Sequence, residues 1–221
     1  MGIATVGGRQ AIVRTPGPVA LPQGEGAAGG PVGEAAAVEP APAEPAPAES
    51  VTVLPAPFNA RSRVHEYGGA SWTVVPETGA SDARPLVVFV NFDDQRVHSL
   101  REGEAPRPLT PVGPEVESAH GPSLRWADPT VVTLADGAVE VWWICEDHTG
   151  GADGPRTGAD GAPHVERYIA AVPLDGSAAE DPSAIRRVTP ASRFVAGPAL
   201  SPDGTRLAWM GGIDLTSPTG K

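Results

Sequence analysis

The 221-residue sequence predicts an all-β fold, and three observations support this prediction. From Val51 onward, short apolar or alternating runs are separated by clusters of turn-forming residues, which is the pattern of short strands joined by loops. Asp-Gly pairs, which favour tight hairpin turns, lie between several of the runs. No window shows the sustained 3.6-residue period of an amphipathic helix.

The predicted strands follow one another along the chain at short intervals. Asp136-Gly137 and Asp203-Gly204 each stand between two runs, so we expect a hairpin at both places. The runs with strand character are residues 70–75, 86–90, 96–100, 129–134, 139–145, 168–172, 199–200 and 206–210.

Two parts of the chain repeat one another. Arg107-Pro108-Leu109-Thr110-Pro111 returns as Arg186-Arg187-Val188-Thr189-Pro190, each time after a strand and a polar loop. A second repeat begins at Asp128-Pro129 and again at Gly197-Pro198. Each dipeptide is followed by a predicted strand, an Asp-Gly turn and a second predicted strand. Recurring strand–turn–strand units indicate a radial all-β array, although the spacing of roughly 70 to 80 residues exceeds one propeller blade. We expect the excess to be a surface loop at 150–163, which consists almost wholly of turn-forming residues.

The N-terminal part of the chain has a different composition. Residues 16–50 are built largely from Ala, Pro, Gly and Glu, which bury little surface and cannot offset the entropy lost on ordering. This segment is predicted to be a disordered linker or insertion. The chain then divides into a possible remnant blade strand at 1–15, the disordered segment, a partial propeller at 51–210 and a divergent tail at 211–221.

Composition restricts the possible partners. The net charge of −11 and the pI of about 4.8 argue against nucleic acid and anionic membranes, which attract basic surfaces. The single cysteine, Cys145, excludes an internal disulfide and a multi-cysteine metal site, and its apolar surroundings in sequence predict a buried thiol. No pattern indicates a cofactor. With no export signal or membrane-length apolar run, a cytoplasmic location is expected.

An ordered series of motifs resembles one protein family. Its anchor is the segment 57–69, Pro-Phe-Asn-Ala-Arg-Ser-Arg-Val-His-Glu-Tyr-Gly-Gly. The other motifs are residues 7–14, 91–96, 107–111, 145–148 and 201–209. Together they resemble the β-propeller region of the prolyl oligopeptidase family of serine peptidases, in its acylaminoacyl-peptidase and dipeptidyl aminopeptidase branch. The resemblance covers about residues 7–15 and 51–210.

This resemblance implies a partial β-propeller of about three blades. In the family, the propeller covers the active site of an α/β-hydrolase domain and excludes large folded substrates. No Gly-x-Ser-x-Gly nucleophile motif occurs in the 221 residues, and the sequence departs from the family pattern after Met210. We therefore expect a chain truncated before the catalytic domain, with no catalytic residue and no peptidase activity by itself. Its expected partners are peptides or a hydrolase domain.

Arg61, Arg63 and Glu66 are the candidate substrate-binding residues. The resemblance implies that charged side chains on the inner rim of the propeller meet peptide termini. An Arg there would pair with a carboxylate and a Glu with an α-amino group. The alternative is structural: these charges cap the turn at residues 67–69 and hold two blades together.

A metal site is not expected. His65 and Glu66 are adjacent, and in a strand they would point to opposite faces and could not easily converge on one ion. The remaining histidines considered, His120, His148 and His164, show no ligand spacing.

The tryptophans lie in or beside predicted strands, which favours packing between blades over a stacking platform for sugars or bases. Alternation in the 140–143 run would expose either Trp142 or Trp143 on a blade face. The full set is Trp72, Trp126, Trp142, Trp143 and Trp209.

Two other functions remain open. A stand-alone propeller acting as a binding module would require a closed ring and an export signal. A non-functional gene fragment would leave strand edges exposed, and it would aggregate and unfold without sharp cooperativity.

Overall fold

The computed structural model describes residues 1–14, 50–66, 68–76, 84–116, 121–150 and 165–212. The predicted disordered segment, nearly all of the predicted surface loop after Gly150 and most of the predicted C-terminal tail lie outside the described residues. Within the described residues every regular element is a β-strand or a short 3-10 helix, so the all-β prediction is confirmed. None of the described helices has the length and apolar character of a membrane-spanning segment.

Four antiparallel sheets follow one another along the chain, and we number them I to IV. Sheet I contains β1 (Gly2–Val6), β2 (Arg9–Arg14) and β3 (Val51–Thr52). Sheet II contains β4 (Trp72–Val75), β5 (Leu86–Val90), β6 (Val97–Leu100) and β7 (Arg107–Pro108). A small ribbon of β8 (Glu115–Val116) and β9 (Gly121–Pro122) leads to the next sheet.

Sheet III has the same four-stranded order as sheet II. It contains β10 (Leu124–Thr133), β11 (Val139–Asp147), β12 (Glu166–Val172) and β13 (Arg186–Arg187). Sheet IV contains β14 (Phe194–Leu200) and β15 (Leu207–Gly212). Both predicted Asp-Gly hairpins are confirmed, because they connect β10 to β11 and β14 to β15.

The sheets pack face to face in chain order and form three apolar clusters. Ile12, Leu54 and Phe89 lie in the cluster between sheets I and II. The cluster between sheets II and III includes Val90 and Trp143. The third, between sheets III and IV, includes Trp142, Ile169 and Val195. Full burial of one such side chain contributes about 1.5–3 kcal/mol, so these interfaces are the main source of stability.

The expectation of one exposed tryptophan in β11 is wrong. Trp142 and Trp143 point to opposite faces of sheet III, as alternation requires, but both are buried. Sheet II covers one face and sheet IV covers the other, so neither face of the strand meets solvent. Cys145 is fully buried, as predicted.

The sequence repeat corresponds to a structural repeat. Thr110, after β7, accepts a hydrogen bond from the Val97 backbone N–H of β6 at 3.0 Å. Thr189, after β13, accepts one from the Ile169 backbone N–H of β12, also at 3.0 Å. Each threonine thus ties the end of its sheet to the preceding strand.

The second sequence repeat corresponds to a β-bulge that sheets III and IV share. The pairing of β10 with β11 shifts register between Ala127 and Thr130, and that of β14 with β15 shifts between Ala196 and Ala199. The bulge residue has a positive φ in each sheet, 51° at Asp128 and 58° at Gly197.

The bulge in sheet III joins it to sheet II. Asp128 accepts a hydrogen bond from the Ala70 backbone N–H at 2.7 Å and donates its own backbone N–H to the Ala70 carbonyl at 2.7 Å. Gly69 lies so close that a Cβ atom would meet the Asp128 carboxylate at 2.8 Å. A glycine here allows the chain entering β4 to approach β10.

Candidate functional site

A row of three charged residues crosses sheet III. Arg125 of β10, Glu146 of β11 and Arg167 of β12 are direct cross-strand neighbours, so their side chains share one face. Arg125 Nη1 lies 3.3 Å from Glu146 Oε1, and Arg167 contacts Oε2 through Nε at 2.8 Å and Nη2 at 2.7 Å. Arg125 and Glu146 are fully buried. A buried charge needs this kind of compensation by ion pairs and hydrogen bonds.

Glu146 also accepts hydrogen bonds from two other segments. The His65 backbone N–H donates to Oε2 at 2.9 Å, and His148 Nε2 donates to Oε1 at 2.9 Å. Burial alone would raise the pKa of Glu146, but the bonds from His148 and His65 and the charge of Arg167 outweigh it and lower the pKa to about 2. Glu146 is therefore ionised at neutral pH and connects three parts of the chain.

The segment held by Glu146 is a strained turn. His65 and Glu66 have φ values of 55° and 60°, in the left-handed region that costs non-glycine residues about 1–3 kcal/mol each. They belong to a 3-10 turn at Val64–Glu66, so the expectation that they alternate along a strand is wrong. The turn is closed by hydrogen bonds from the Glu66 N–H to the Arg63 carbonyl and from the Gly68 N–H to the Val64 carbonyl.

The His65 side chain contributes packing to this turn. Its ring lies against Phe194 of β14, with a centroid distance of 5.4 Å. Burial and the nearby charge of Arg167 lower the pKa of His65, against the opposing effect of Glu146. A neutral imidazole packed against an aromatic ring fits a structural role for this residue.

The structure brings two of the three candidate residues together. Glu66 Oε1 accepts a hydrogen bond from Arg125 Nη1 at 2.5 Å, and Glu66 Oε2 lies 3.5 Å from Arg63 Nη2. The Glu66 side chain is nevertheless 62% exposed. The hydrogen bond from Arg125 is the main reason why the pKa of Glu66 is lowered. Glu66 is thus an ionised, solvent-accessible carboxylate on a rigid support.

Arg61 lies apart from this pair. Its guanidinium is placed over the Phe92 ring, 5.0 Å from the centroid, in a cation–π contact. Its backbone N–H donates to the Val90 carbonyl of sheet II. The structure therefore divides the three candidates into a pair, Arg63 and Glu66, and a separate arginine.

Two motifs of the sequence series form one structural unit. Gln95 is fully buried; its Oε1 accepts from the Arg63 backbone N–H at 2.8 Å, and its Nε2 donates to the Phe92 carbonyl at 2.8 Å. Asn91 likewise accepts from the Asn59 backbone N–H at 3.0 Å. The turn after β5 thus fixes the backbone that leads into the strained turn.

A cleft of about 670 Å³ lies next to Arg63. A Cβ atom on Gly121, in the cleft wall, would come within 2.5 Å of Arg63 Nη1, so the guanidinium packs directly against this wall. The cleft is lined by Asp93, Asp94, Val112, Gly113, Pro114, Glu115, Val116, Gly121 and Pro122. It therefore combines apolar surface with three carboxylates, beside the Arg63 guanidinium.

The described residues form neither a reactive thiol nor a metal centre. Cys145 is shielded from solvent, and burial raises the pKa of its thiol, which disfavours the nucleophilic thiolate. In the described part of the chain, no three His, Cys, Asp or Glu side chains are placed to hold a metal ion. The chemistry that this arrangement offers is recognition of an amine by Glu66 and of an anion by Arg63.

Sequence reasoning missed the three residues that support this site. Residues 145–148 belong to the motif series, but no role was predicted for Glu146, and neither Arg125 nor Arg167 was identified. The sequence does contain an indication of Glu146. In a strand, residues 142, 144 and 146 lie on the same face, and a charged residue on the face of Trp142 and Ile144 predicts a buried ion pair. Its partners depend on strand register, which the sequence does not provide.

Solved structures similar to the chain include enzymes that hydrolyse puromycin. A puromycin hydrolase is 43% identical with a TM-score of 0.58, and the match covers 74% of this chain and 22% of that one. A puromycin-hydrolyzing peptidase of Mycobacterium tuberculosis is 42% identical with a TM-score of 0.57, covering 73% and 22%. A mutant puromycin hydrolase in complex with PGG is 41% identical with a TM-score of 0.57, covering 74% and 22%.

These matches cover most of this chain but about a fifth of each structure's own length. No protein-family model matches the chain, and no curated protein does.

Proposed function

This chain is related to peptidases of the prolyl oligopeptidase family. From this premise we propose that the chain forms propeller blades, and that these blades orient peptide-like substrates by binding their termini. The observation that carries the proposal is the Glu66 carboxylate. It is exposed and ionised, and it is held on a strained turn by the charged row of Arg125, Glu146 and Arg167.

The arrangement of the sheets supports a propeller. Sheets II and III are four-stranded antiparallel meanders, and sheets I to IV stack face to face in chain order. The first strands of sheets II, III and IV, which are β4, β10 and β14, lie next to one another. Adjacent first strands with successive sheets packed on each other are the arrangement of blades around a common axis.

The charges of the site support recognition of a peptide N-terminus. An α-amino group is protonated at neutral pH and pairs with a carboxylate through charge-assisted hydrogen bonds. Glu66 offers such a carboxylate, and its partner Arg63 packs against a cleft with apolar and acidic lining residues, in which side chains of a substrate can lie. Strain held at a few residues by the surrounding structure is a common property of binding sites.

Puromycin is a suitable probe because it carries a free α-amino group. We expect isothermal titration of the purified chain with puromycin to show binding that is lost when the amine is acetylated. Glu66→Gln removes the charge and is expected to weaken puromycin binding at least about tenfold, the equivalent of about 1.4 kcal/mol. Glu104→Gln is the matched control, because Glu104 is also a half-exposed carboxylate paired with an arginine, Arg84, but lies elsewhere.

The proposal fails if N-acetylpuromycin binds as tightly as puromycin, or if Glu66→Gln and Glu104→Gln have the same effect. In either case the amine is not recognised by Glu66, and the structural role of the pair in holding two sheets together is the remaining explanation.

A further inference from the structure

The His65 ring joins the strained turn to sheet IV. Its centroid lies 5.4 Å from that of Phe194, the first residue of β14, and the two ring planes are inclined by 34°. Arg167 reaches the same place from β12, because its Nη1 donates a hydrogen bond to the Arg193 carbonyl at 2.6 Å. Since a charge is costly to hold against an aromatic ring away from water, this contact suits a neutral imidazole.

The carboxylate beside the ring has no hydrogen-bonding capacity left. His65 Nδ1 lies 3.9 Å from Glu146 Oε2, which is too far for a hydrogen bond. That oxygen already contacts the His65 backbone N–H at 2.9 Å and Arg167 Nε and Nη2 at 2.8 and 2.7 Å. The other oxygen, Oε1, contacts His148 and Arg125. These donors already fill the roughly four lone-pair positions of a carboxylate, so a protonated His65 ring cannot form a close ion pair with Glu146.

The surroundings of the ring oppose its protonation. Three charged residues act on it from sheet III: Arg167 of β12 repels a second positive charge, whereas Glu146 of β11 and Asp128 of β10 attract one. Burial of the ring has the largest effect, and together with the repulsion from Arg167 it lowers the pKa of His65 despite the two carboxylates. The packing and the charges therefore favour the same neutral state.

We propose that His65 is a proton-sensitive switch, whose neutral ring packs on Phe194 and whose protonated ring leaves this contact for solvent. The side chain is already 28% exposed, so it can leave without opening the apolar clusters between the sheets. The charged side chains of the turn itself, Arg63 and Glu66, pair with one another, so their charges largely cancel at the ring. Protonation thus removes the ring contact between β14 and the turn that carries Glu66. This inference does not depend on peptide recognition.

NMR of the full chain from about pH 8 to about pH 5 tests the proposal directly. We expect His65 to titrate below its ordinary pKa of 6.5, and the nuclear Overhauser effect between the His65 and Phe194 rings to disappear over the same pH range. His65→Asn identifies the His65 resonance, and asparagine is chosen because it tolerates the left-handed backbone of this position. A titration at or above pH 6.5, or an Overhauser effect that persists in the protonated form, overturns the proposal.

Removing one positive charge tests the cause of the switch. Arg167→Gln removes the repulsion and leaves Glu146 Oε2 open to the ring, so the titration midpoint of His65 should rise by at least about 0.5 pH unit. Arg187→Gln is the matched control, because Arg187 also pairs with a glutamate of sheet III, Glu166, but is not among the charges that act on His65. It should leave the midpoint unchanged. If both variants gave the same midpoint, Arg167 would not control the ring and the proposal would be wrong.

Stability measurements give a test that does not require Arg167→Gln to fold. A histidine held neutral in the folded state contributes stability that is fully present above about pH 6.5 and is lost as the pH falls through its lowered folded-state pKa. Urea unfolding of the unchanged protein and of His65→Asn, between about pH 8 and about pH 5, measures this contribution. The unchanged protein should lose stability relative to His65→Asn as the pH falls. A difference between the two that is the same at every pH would show that the fold does not discriminate between the neutral and the protonated ring, and the proposal would fail.

Discussion

Sheets III and IV contain the same bulged hairpin, yet Trp143 and Ile144 of sheet III are buried and their equivalents in sheet IV, Trp209 and Met210, are exposed. In sheet III the hairpin lies between two sheets, and Trp142 and Trp143 fill the clusters on its two faces. In sheet IV one face packs on sheet III through Val195, while Met210 remains exposed. Burial is thus determined by which sheets cover a strand and much less by the residues of the strand.

The strongest way to test this comparison is to truncate the equivalent tryptophans. Trp143→Ala opens a cavity between sheets II and III and is expected to lower the free energy of unfolding by about 3–5 kcal/mol. Trp209→Ala removes a side chain that is already 42% exposed and should cost under about 1 kcal/mol. Urea denaturation followed by circular dichroism measures both. Equal losses would show that sheet IV is as well packed in solution as sheet III.

The charged row of sheet III has no equivalent in sheet IV, where the positions of Arg125 and Glu146 are occupied by Phe194 and Gly212. Glu146→Gln removes the buried carboxylate that lies between Arg125 and Arg167, and Arg125 then keeps, among the described residues, only its pair with the exposed Glu66, so the change is expected to cost about 3 kcal/mol at pH 7. Glu140→Gln is the control, since Glu140 lies on the same strand but forms a more exposed ion pair with Arg186. That change should cost under about 1 kcal/mol.

The cost of Glu146→Gln should depend on pH. The folded state lowers the pKa of Glu146 from an ordinary 4.5 to about 2, so the unfolded chain takes up the proton first as the pH falls. The stability that ionised Glu146 contributes is fully present above about pH 4.5 and is lost as the pH falls towards 2. The difference in unfolding free energy between the unchanged protein and Glu146→Gln should therefore shrink across this range. A difference that stays constant down to pH 2 would show that the carboxylate does not stabilise the fold.

Sequence patterns were sufficient for the features that depend on local chemistry. The Asp-Gly hairpins follow from turn geometry, and the strand at Leu86–Val90 follows from an unbroken apolar run. The start of β10 was placed five residues late, at Pro129, because the charged Arg125 and the Asp128-Pro129 pair conceal a strand that begins at Leu124. Buried charges and bulges make a strand look like a loop in sequence.

The candidate site was predictable only in part for a related reason. Arg63 and Glu66 stand out in the sequence because they belong to one motif. Arg125 and Glu146 come from other strands and meet them only once the register of sheet III and the position of the strained turn are fixed. The left-handed conformation of His65 and Glu66 is also unexpected from sequence, because non-glycine residues adopt it rarely and the hydrogen bond from the His65 N–H to Glu146 holds it here.

Alanine substitutions at two glycines have the smallest expected effects, and they test how closely the chain is packed at the junction of sheets II and III and in sheet IV. Gly69 lies at the junction of sheets II and III, where a Cβ atom would meet the Asp128 carboxylate at 2.8 Å and the Ala127 Cβ at 3.1 Å. Gly211 lies in β15, where the nearest atom to a new Cβ is Trp209 Nε1 at an ordinary 3.5 Å. Gly69→Ala should therefore cost about 1–3 kcal/mol by overpacking.

Gly211→Ala should be neutral or stabilise the fold by up to about 1 kcal/mol, because alanine loses less conformational entropy than glycine on folding. Thermal unfolding of the two variants measures both effects. If Gly69→Ala left the free energy of unfolding unchanged, the Asp128 side chain must move to accommodate the new Cβ atom. The hydrogen bond that Asp128 accepts from the Ala70 N–H would then not be needed to join the two sheets. The close approach of the chain before β4 to β10 would then be a consequence of packing elsewhere in sheets II and III, and not a contact that stabilises their junction.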